Sequence, residues 1–382
     1  MNSAGRTSVS EFLGDLIVYR NLVPVDRQLP PLAAIRQQAG LPGNAVPRKS
    51  APEYGRVMAH LLTQARSLDM PKTAIERLAY VGDTQLNDVT AFTNLCRAGG
   101  WSGRAFIAAE QDAPASTEIV EQDEGTLYLA NRWAALADFD RFCRAGGFPF
   151  DERTAVVVDL DKTAIGARGR NDHVIDSARV DAVRRTVGDL LGQGFDAVGF
   201  EEGYQCLNQP EYHPFTADNQ DYLAYVCLIL GSGLYALQNL VADVQAGRMD
   251  SFEQFIAATD ERAGELPTEL RHTHEMVYAL VREGDPTPFK AFRATEYLAT
   301  VERMGCLGDD VPVAQLLDRE ITITQEVREM ALAWQDRGAL LFGLSDKPDE
   351  ASLPTDAQAA RGYLPIHRME THAVGAGLVP AQ

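Results

Sequence analysis

The chain has 382 residues, 45% of them hydrophobic, and a formal charge of −19 at neutral pH. That length admits two or three modules around a large core, and the apolar fraction excludes wholesale disorder. The acidic balance disfavours nucleic acid and anionic membranes as partners, because phosphate contacts need clustered Lys and Arg. No apolar run has the length of a membrane-spanning helix, and the first residues lack the apolar stretch of a signal peptide. The five cysteines (Cys96, Cys143, Cys206, Cys227, Cys306) show no Cys-x-x-Cys spacing. They fit a reduced cytoplasmic setting with most thiols in the core. His272 and His274 stand two apart in a helical stretch, on different faces, so a solvated or capping role is expected for both.

In chain order, the run Asp15–Arg20 predicts a short strand, followed by a Pro/Gly-rich segment to Pro47. Helical spacing of Val57, Met58, Leu61, Leu62 and Ala65, with a proline in the first turn, predicts a helix from Pro52 to Arg66. A strand at 78–81 and a helix from Asn87 to Arg97, stopped by Gly99-Gly100, come next. Arg104–Ala109 reads as a further strand and 131–145 as an amphipathic helix closing on Gly146-Gly147. The β-branched run 155–159 is a strand, and about 150 mostly helical residues follow it. Their segments lie near 177–193, 219–246, 250–264, 268–283 and 288–304. Within them Tyr222, Tyr225, Leu228, Leu230, Leu234 and Leu237 form an apolar series suited to a core. A helix at 324–336, a strand at 339–344 and a last strand at 363–371 complete the pattern, the last placing the carboxyl-terminal region near residue 15.

Residues 155–163 carry the strongest chemical signal. An apolar strand stops at Asp159 and is followed by Asp161 and Thr163. Alternation along a strand points both carboxylates the same way. Two such groups repel and lose hydration, so they call for a cation or a shared proton. Ligands of open parallel sheets gather outside those carboxyl ends. The competing reading is an exposed acidic turn. Two more strands end similarly, at Gly82-Asp83 with Asp88 five positions on, and at Leu344-Ser345. Three strands stopping at small or acidic polar groups predict one shared crevice.

This combination resembles the haloacid-dehalogenase-like (HAD) superfamily of aspartate-dependent phosphohydrolases. Asp159-x-Asp161-x-Thr163 is similar to its first motif, Ser345 to its second, and Gly82-Asp83-x4-Asp88 to its fourth. Lys49, ahead of the Pro52 helix, takes the place of the third-motif lysine, with Lys347 as a rival. The order is permuted, since the fourth motif precedes the first. The resemblance therefore implies an α/β fold with a Rossmann-like parallel-sheet core, circularly permuted, and a mostly α-helical cap. Its boundaries are core at 1–168, cap at 169–320 and core again at 321–382.

The resemblance further implies a Mg2+-dependent phosphatase acting on a small phosphorylated metabolite through an aspartyl-phosphate. Asp159 is then the nucleophile, Asp161 the general acid and base, and Thr163 a residue that fixes the loop. Ser345 binds a phosphoryl oxygen and Lys49 neutralises charge. Asp159, the main-chain carbonyl of Asp161, and Asp83 bind the ion, with Asp88 a direct or water-mediated ligand. Four residues separate Asp83 from Asp88 where many members have three, so Asn87 is an alternative to Asp88. Arg168 and Arg170 either contact an anionic leaving group or form a solvated basic loop. The alternatives to hydrolysis are a phosphomutase or phosphotransferase of the same superfamily, and a catalytically inactive HAD-like binding protein.

Overall fold

The computed structural model describes residues 1–43 and 45–377. Its strands are β1 (Asn2–Thr7), β2 (Ile17–Val18), β3 (Arg77–Gly82), β4 (Ser102–Ala108), β5 (Thr117–Gln122), β6 (Gly125–Ala130), β7 (Thr154–Asp159), β8 (Ile323–Thr324), β9 (Leu340–Leu344) and β10 (Thr371–Gly375). Seven form one sheet in the order β2-β9-β7-β3-β4-β6-β5. All neighbours in it are parallel except the β5–β6 hairpin. Parallel strands are covered on both faces and therefore read as unbroken apolar runs. Every residue of β7 and β9 is buried accordingly. At the edge, β5 is mostly exposed and carries Glu118 and Glu121, charges that discourage pairing with another chain.

Each sheet face meets helices. Ala155 and Val157 of β7, Tyr80 of β3 and Ile107 of β4 join one apolar cluster with the helices Pro52–Asp69 and Asn87–Gly99. These two helices approach closely at Gly55, where a Cβ would lie 2.6 Å from the Asn94 carbonyl oxygen. Phe106 of β4 lies on the opposite side of that strand, among Trp133, Phe139 and Tyr128. There Phe150 stacks on Trp334 of the helix Gln325–Asp336, with centroids 4.5 Å apart. Among the described residues, no helix is long and apolar enough to cross a membrane.

Contacts divide the chain into two compact units, Met1–Ser177 with the segment from Thr300 onward, and Ala178–Ala299. In the first unit, Asn171 donates to the carbonyls of Leu317 and Glu320 and accepts from the Thr322 amide. Those bonds tie residues on both sides of the helical stretch together. The second unit is helical, and Tyr225, Phe252, Phe255 and Leu228 lie in its core. Tyr222 stacks on Phe252 with centroids 3.8 Å apart. A buried ionic group there is built on Asp221, which accepts from the Phe289 amide and pairs with Arg293, itself paired with Glu296.

Two local expectations are corrected. Residues 363–371 are not a strand; they hold the turn Ile366–Arg368, which follows Pro365, a residue that cannot donate to a ladder. The final strand begins at Thr371 and lies in a separate sheet of order β1-β10-β8, antiparallel to β1. The turn itself reaches residue 15, because Asp15 accepts from His367 and Arg368. His274 is fully buried rather than solvated, with Nδ1 2.5 Å from the Tyr225 hydroxyl and Nε2 3.1 Å from Asp260. The helices Ala197–Leu207 and Val313–Arg319 lie in the mostly helical stretch but outside its named segments, and the β5–β6 hairpin is an addition to the expected elements.

Candidate active site

Parallel register brings three strand ends level. Val81 of β3 pairs with Val158 of β7, and Asp159 pairs with Leu344 of β9. Asp159 is therefore flanked by Gly82-Asp83 on one side and Leu344-Ser345 on the other. These stretches are more than 70 and 180 residues away in sequence, by order of magnitude, yet adjacency in the sheet makes them neighbours. Carboxylate oxygens of Asp83, Asp88 and Asp159 lie within 4.8 Å of one another, and all three residues are buried.

Lys49 holds this cluster together. Its Nζ donates to Asp88 Oδ1 and to Asp159 Oδ1, each at 2.6 Å, and only 5% of the residue is exposed. Burial works against its charge, but Asp159, Tyr80 and Asp88 outweigh that and hold the ammonium well above the usual lysine range. Burial pushes the Asp159 carboxyl well up, Lys49 opposes, and Asp88 and Asp83 push it further. Asp83 is pushed up to about 7, by burial first and Asp88 second, against the pull of Arg168. With all groups ionised, three carboxylates face one ammonium and one guanidinium. The site is short of positive charge.

Asp88 is placed by the first turn of the Asn87–Gly99 helix, and the four-residue spacing delivers it fully. Its Oδ2 accepts from the amides of Asp83 (3.0 Å) and Thr84 (2.7 Å) and from the Thr84 hydroxyl. Its Oδ1 accepts from Tyr80 (2.9 Å) as well as Lys49. Five donors fill the roughly four lone-pair sites of a carboxylate. Burial opposes the ionised form, yet Lys49 and Thr84 hold it well below the usual carboxylate range. Asp88 is thus a clamp on the Asp83 loop and an anchor for Lys49, with its oxygens already crowded by donors. Asn87 is exposed, outside the cluster. Gly82 allows the close approach, since a Cβ there would lie 2.6 Å from Asp88 Cγ.

β7 ends at Asp159, so strand alternation does not aim Asp161. The chain turns at once, with Ala164 N bonding Asp159 O at 3.1 Å and Lys162 in the left-handed region at φ 64°. Asp161 lines a small cavity with Ser345, Lys347, Tyr19 and His367. Thr163 is fully buried and fixes the loop through its backbone, its amide bonding Leu160 O and its carbonyl accepting from Thr324. Ser345 is 2% exposed; its amide donates to Val18 O at 3.0 Å and its Oγ accepts from the Lys347 amide. Lys347 is buried rather than solvent-facing, with Nζ 3.5 Å from Thr300 Oγ1. Lys49, not Lys347, is the lysine bonded to Asp159.

The two arginines part company. Arg168 Nε bonds Asp83 Oδ2, at the edge of the cluster. Arg170 spends all five of its N–H donors on Glu110, Glu326 and the Val374 carbonyl, and its side chain is 3% exposed. The expectation that Arg170 meets a leaving group is corrected: it is a structural cross-link. Tyr80 and Thr84 were not legible as site residues, although Thr84 follows the Gly-Asp pair directly and Tyr80 stands two residues before it.

No protein-family model, no curated protein and no solved structure matches the chain.

Proposed function

We propose that this chain is a HAD-like phosphohydrolase that transfers a phosphoryl group from a small phosphate monoester to Asp159 and then to water. The observation that carries this reading is the Lys49-bound Asp159 between Asp83 and Ser345, assembled from segments whose order in the chain is permuted. Pairing of β1 with β10 supports the permutation, since it holds the two terminal strands side by side.

The donor set suits magnesium, a hard cation that takes carboxylate oxygens and keeps several waters. Asp83 and Asp159 would hold it, and when bound it would neutralise charge on the phosphoryl oxygens. Asp159 supplies the attacking carboxylate oxygen, and the Lys49 bond at 2.6 Å fixes that oxygen's carboxylate in place. Lys49 also compensates negative charge as the acyl-phosphate forms. The Ser345 hydroxyl, anchored by the Lys347 amide at its oxygen, has its proton to donate to a phosphoryl oxygen. Asp161 gives a proton to the departing oxygen and takes one from water in the second step. To the helical unit we assign the substrate-selecting role that the resemblance implies.

The test is hydrolysis of p-nitrophenyl phosphate with magnesium, with phosphoryl-enzyme trapping. Asp159→Asn should lose at least ~10³-fold in rate, because covalent catalysis ends with the nucleophile. Equal rates for the two proteins would refute the assignment, as would a trapped phosphoryl group on another residue.

A further inference from the structure

Arg168 is the one cation at the cluster that is poorly buried, its side chain 34% exposed against 6% for its partner Asp83. Its backbone is held from three sides. The Arg168 amide donates to Lys162 O at 2.8 Å, and its carbonyl accepts from the Glu110 amide at 2.9 Å and from Trp133 Nε1 at 3.2 Å. The next residue, Gly169, has φ +74° and sits so close to Glu110 that a Cβ would lie 1.9 Å from its carbonyl oxygen. Arg170 then pins the loop through Glu110 and Glu326. The peptide is rigid, and the guanidinium at the end of a long side chain is the part with room to move. Asp172 and Asp176 also act on its charge, and Lys162 bonds both oxygens of Asp176 at 2.8 Å.

We propose that Arg168 is a built-in competitor of the divalent cation, pairing with Asp83 until the ion displaces it. This rests on the reading that Asp83 and Asp159 hold such an ion. A divalent ion repels a cation on the same carboxylate, whether Arg168 on Asp83 or Lys49 on Asp159. Of the two cations present, Lys49 is bonded to two carboxylates and 5% exposed, whereas Arg168 has one partner in the cluster and reaches solvent. Arg168 is the one that yields. The device offsets part of the site's negative charge without the ion and makes the ion's apparent affinity lower than its contacts alone would give.

The experiment is magnesium titration by calorimetry on the full chain, paired with thermal unfolding in chelator and in magnesium. All variants are measured at one pH in two buffers of different ionisation heat, which reads the protons released on binding. Arg168→Gln should bind magnesium about fivefold to tenfold more tightly than wild type, the scale of one partly exposed charge pair. It should melt earlier in chelator and gain more from magnesium. Arg168→Lys, which keeps a cation on a shorter stem, should fall between the two and shows that the position tolerates change. Unchanged or weaker binding in Arg168→Gln would overturn the competition and leave the metal site standing. Absence of binding by every protein would overturn both.

Discussion

Replacing Lys49 with Met removes the ammonium and keeps much of the side-chain bulk. At 2.6 Å and an effective dielectric of about 20, each of the two charge pairs is worth about 6 kcal/mol by Coulomb's law. Desolvation of a deeply buried lysine and of its partners takes back most of that. Removing one member of a buried ionic group costs about 3–5 kcal/mol, because the carboxylates left behind have no counter-charge. For a large unit, at about 2–4 °C per kcal/mol, the melting point falls by roughly 10 °C. The deficit depends on pH in a definite direction. Asp159 and Asp83 already have raised pKa values, and loss of Lys49 raises Asp159 further. The folded variant then keeps protons that the unfolded chain releases above about pH 4, so its stability falls as pH rises through that range. Asp88, which Lys49 holds below the usual range, contributes to the gap already at pH 5, and Asp159 widens it toward pH 8. Calorimetry in chelator is the assay, since two compact units can melt separately. A drop below about 3 °C at pH 8, or the same drop at pH 5 and pH 8, would refute the reasoning.

Arg170→Met leaves Glu110 and Glu326 without their shared counter-charge, and should lower the melting point by roughly 10 °C while changing magnesium affinity less than twofold. Chelator-buffered calorimetry and magnesium titration read the two effects separately. His367 is buried, which pushes its imidazole below the usual 6.5 although Asp15 pulls the other way. The unfolded chain takes the proton first, so stability is full above about pH 6.5 and is lost as pH falls through that value toward the folded one. His367→Gln should flatten urea midpoints between pH 5 and 7.5; an unchanged slope would place the dependence elsewhere.

Much of the core was legible because its central strands are continuous apolar runs ending in chemistry. The stretches 78–81, 155–159 and 339–344 fall within a residue or so of β3, β7 and β9. The helix 268–283 carries a strong apolar stripe, and its bounds match Thr268–Glu283. What escaped was structure whose cause lies elsewhere in the chain. β1 reads Asn-Ser-Ala-Gly-Arg-Thr and has no alternation at all; it is a strand because β10 offers it a ladder. Arg168 and Arg170 look alike in sequence, and only the placement of Glu110, Glu326 and Asp83 gives one a structural task and the other a place at the cluster. Alternation does not reach Asp161, because β7 ends two residues before it.

The position of β7 between β3 and β9 bears on how the polypeptide is made. Once Asp159 leaves the ribosome, about 180 further residues must follow before Leu340–Leu344 exists. At about 5–20 residues per second that wait lasts on the order of 10–40 s. Throughout it, one flank of β7 is a bare row of amides and carbonyls, the kind of edge on which nascent chains stick to each other. The helices of Ala178–Ala299, rich in local contacts, can fold meanwhile without closing that gap. Yield in a heterologous host should therefore hinge less on final stability than on translation speed and on chaperones that shield the unfinished sheet.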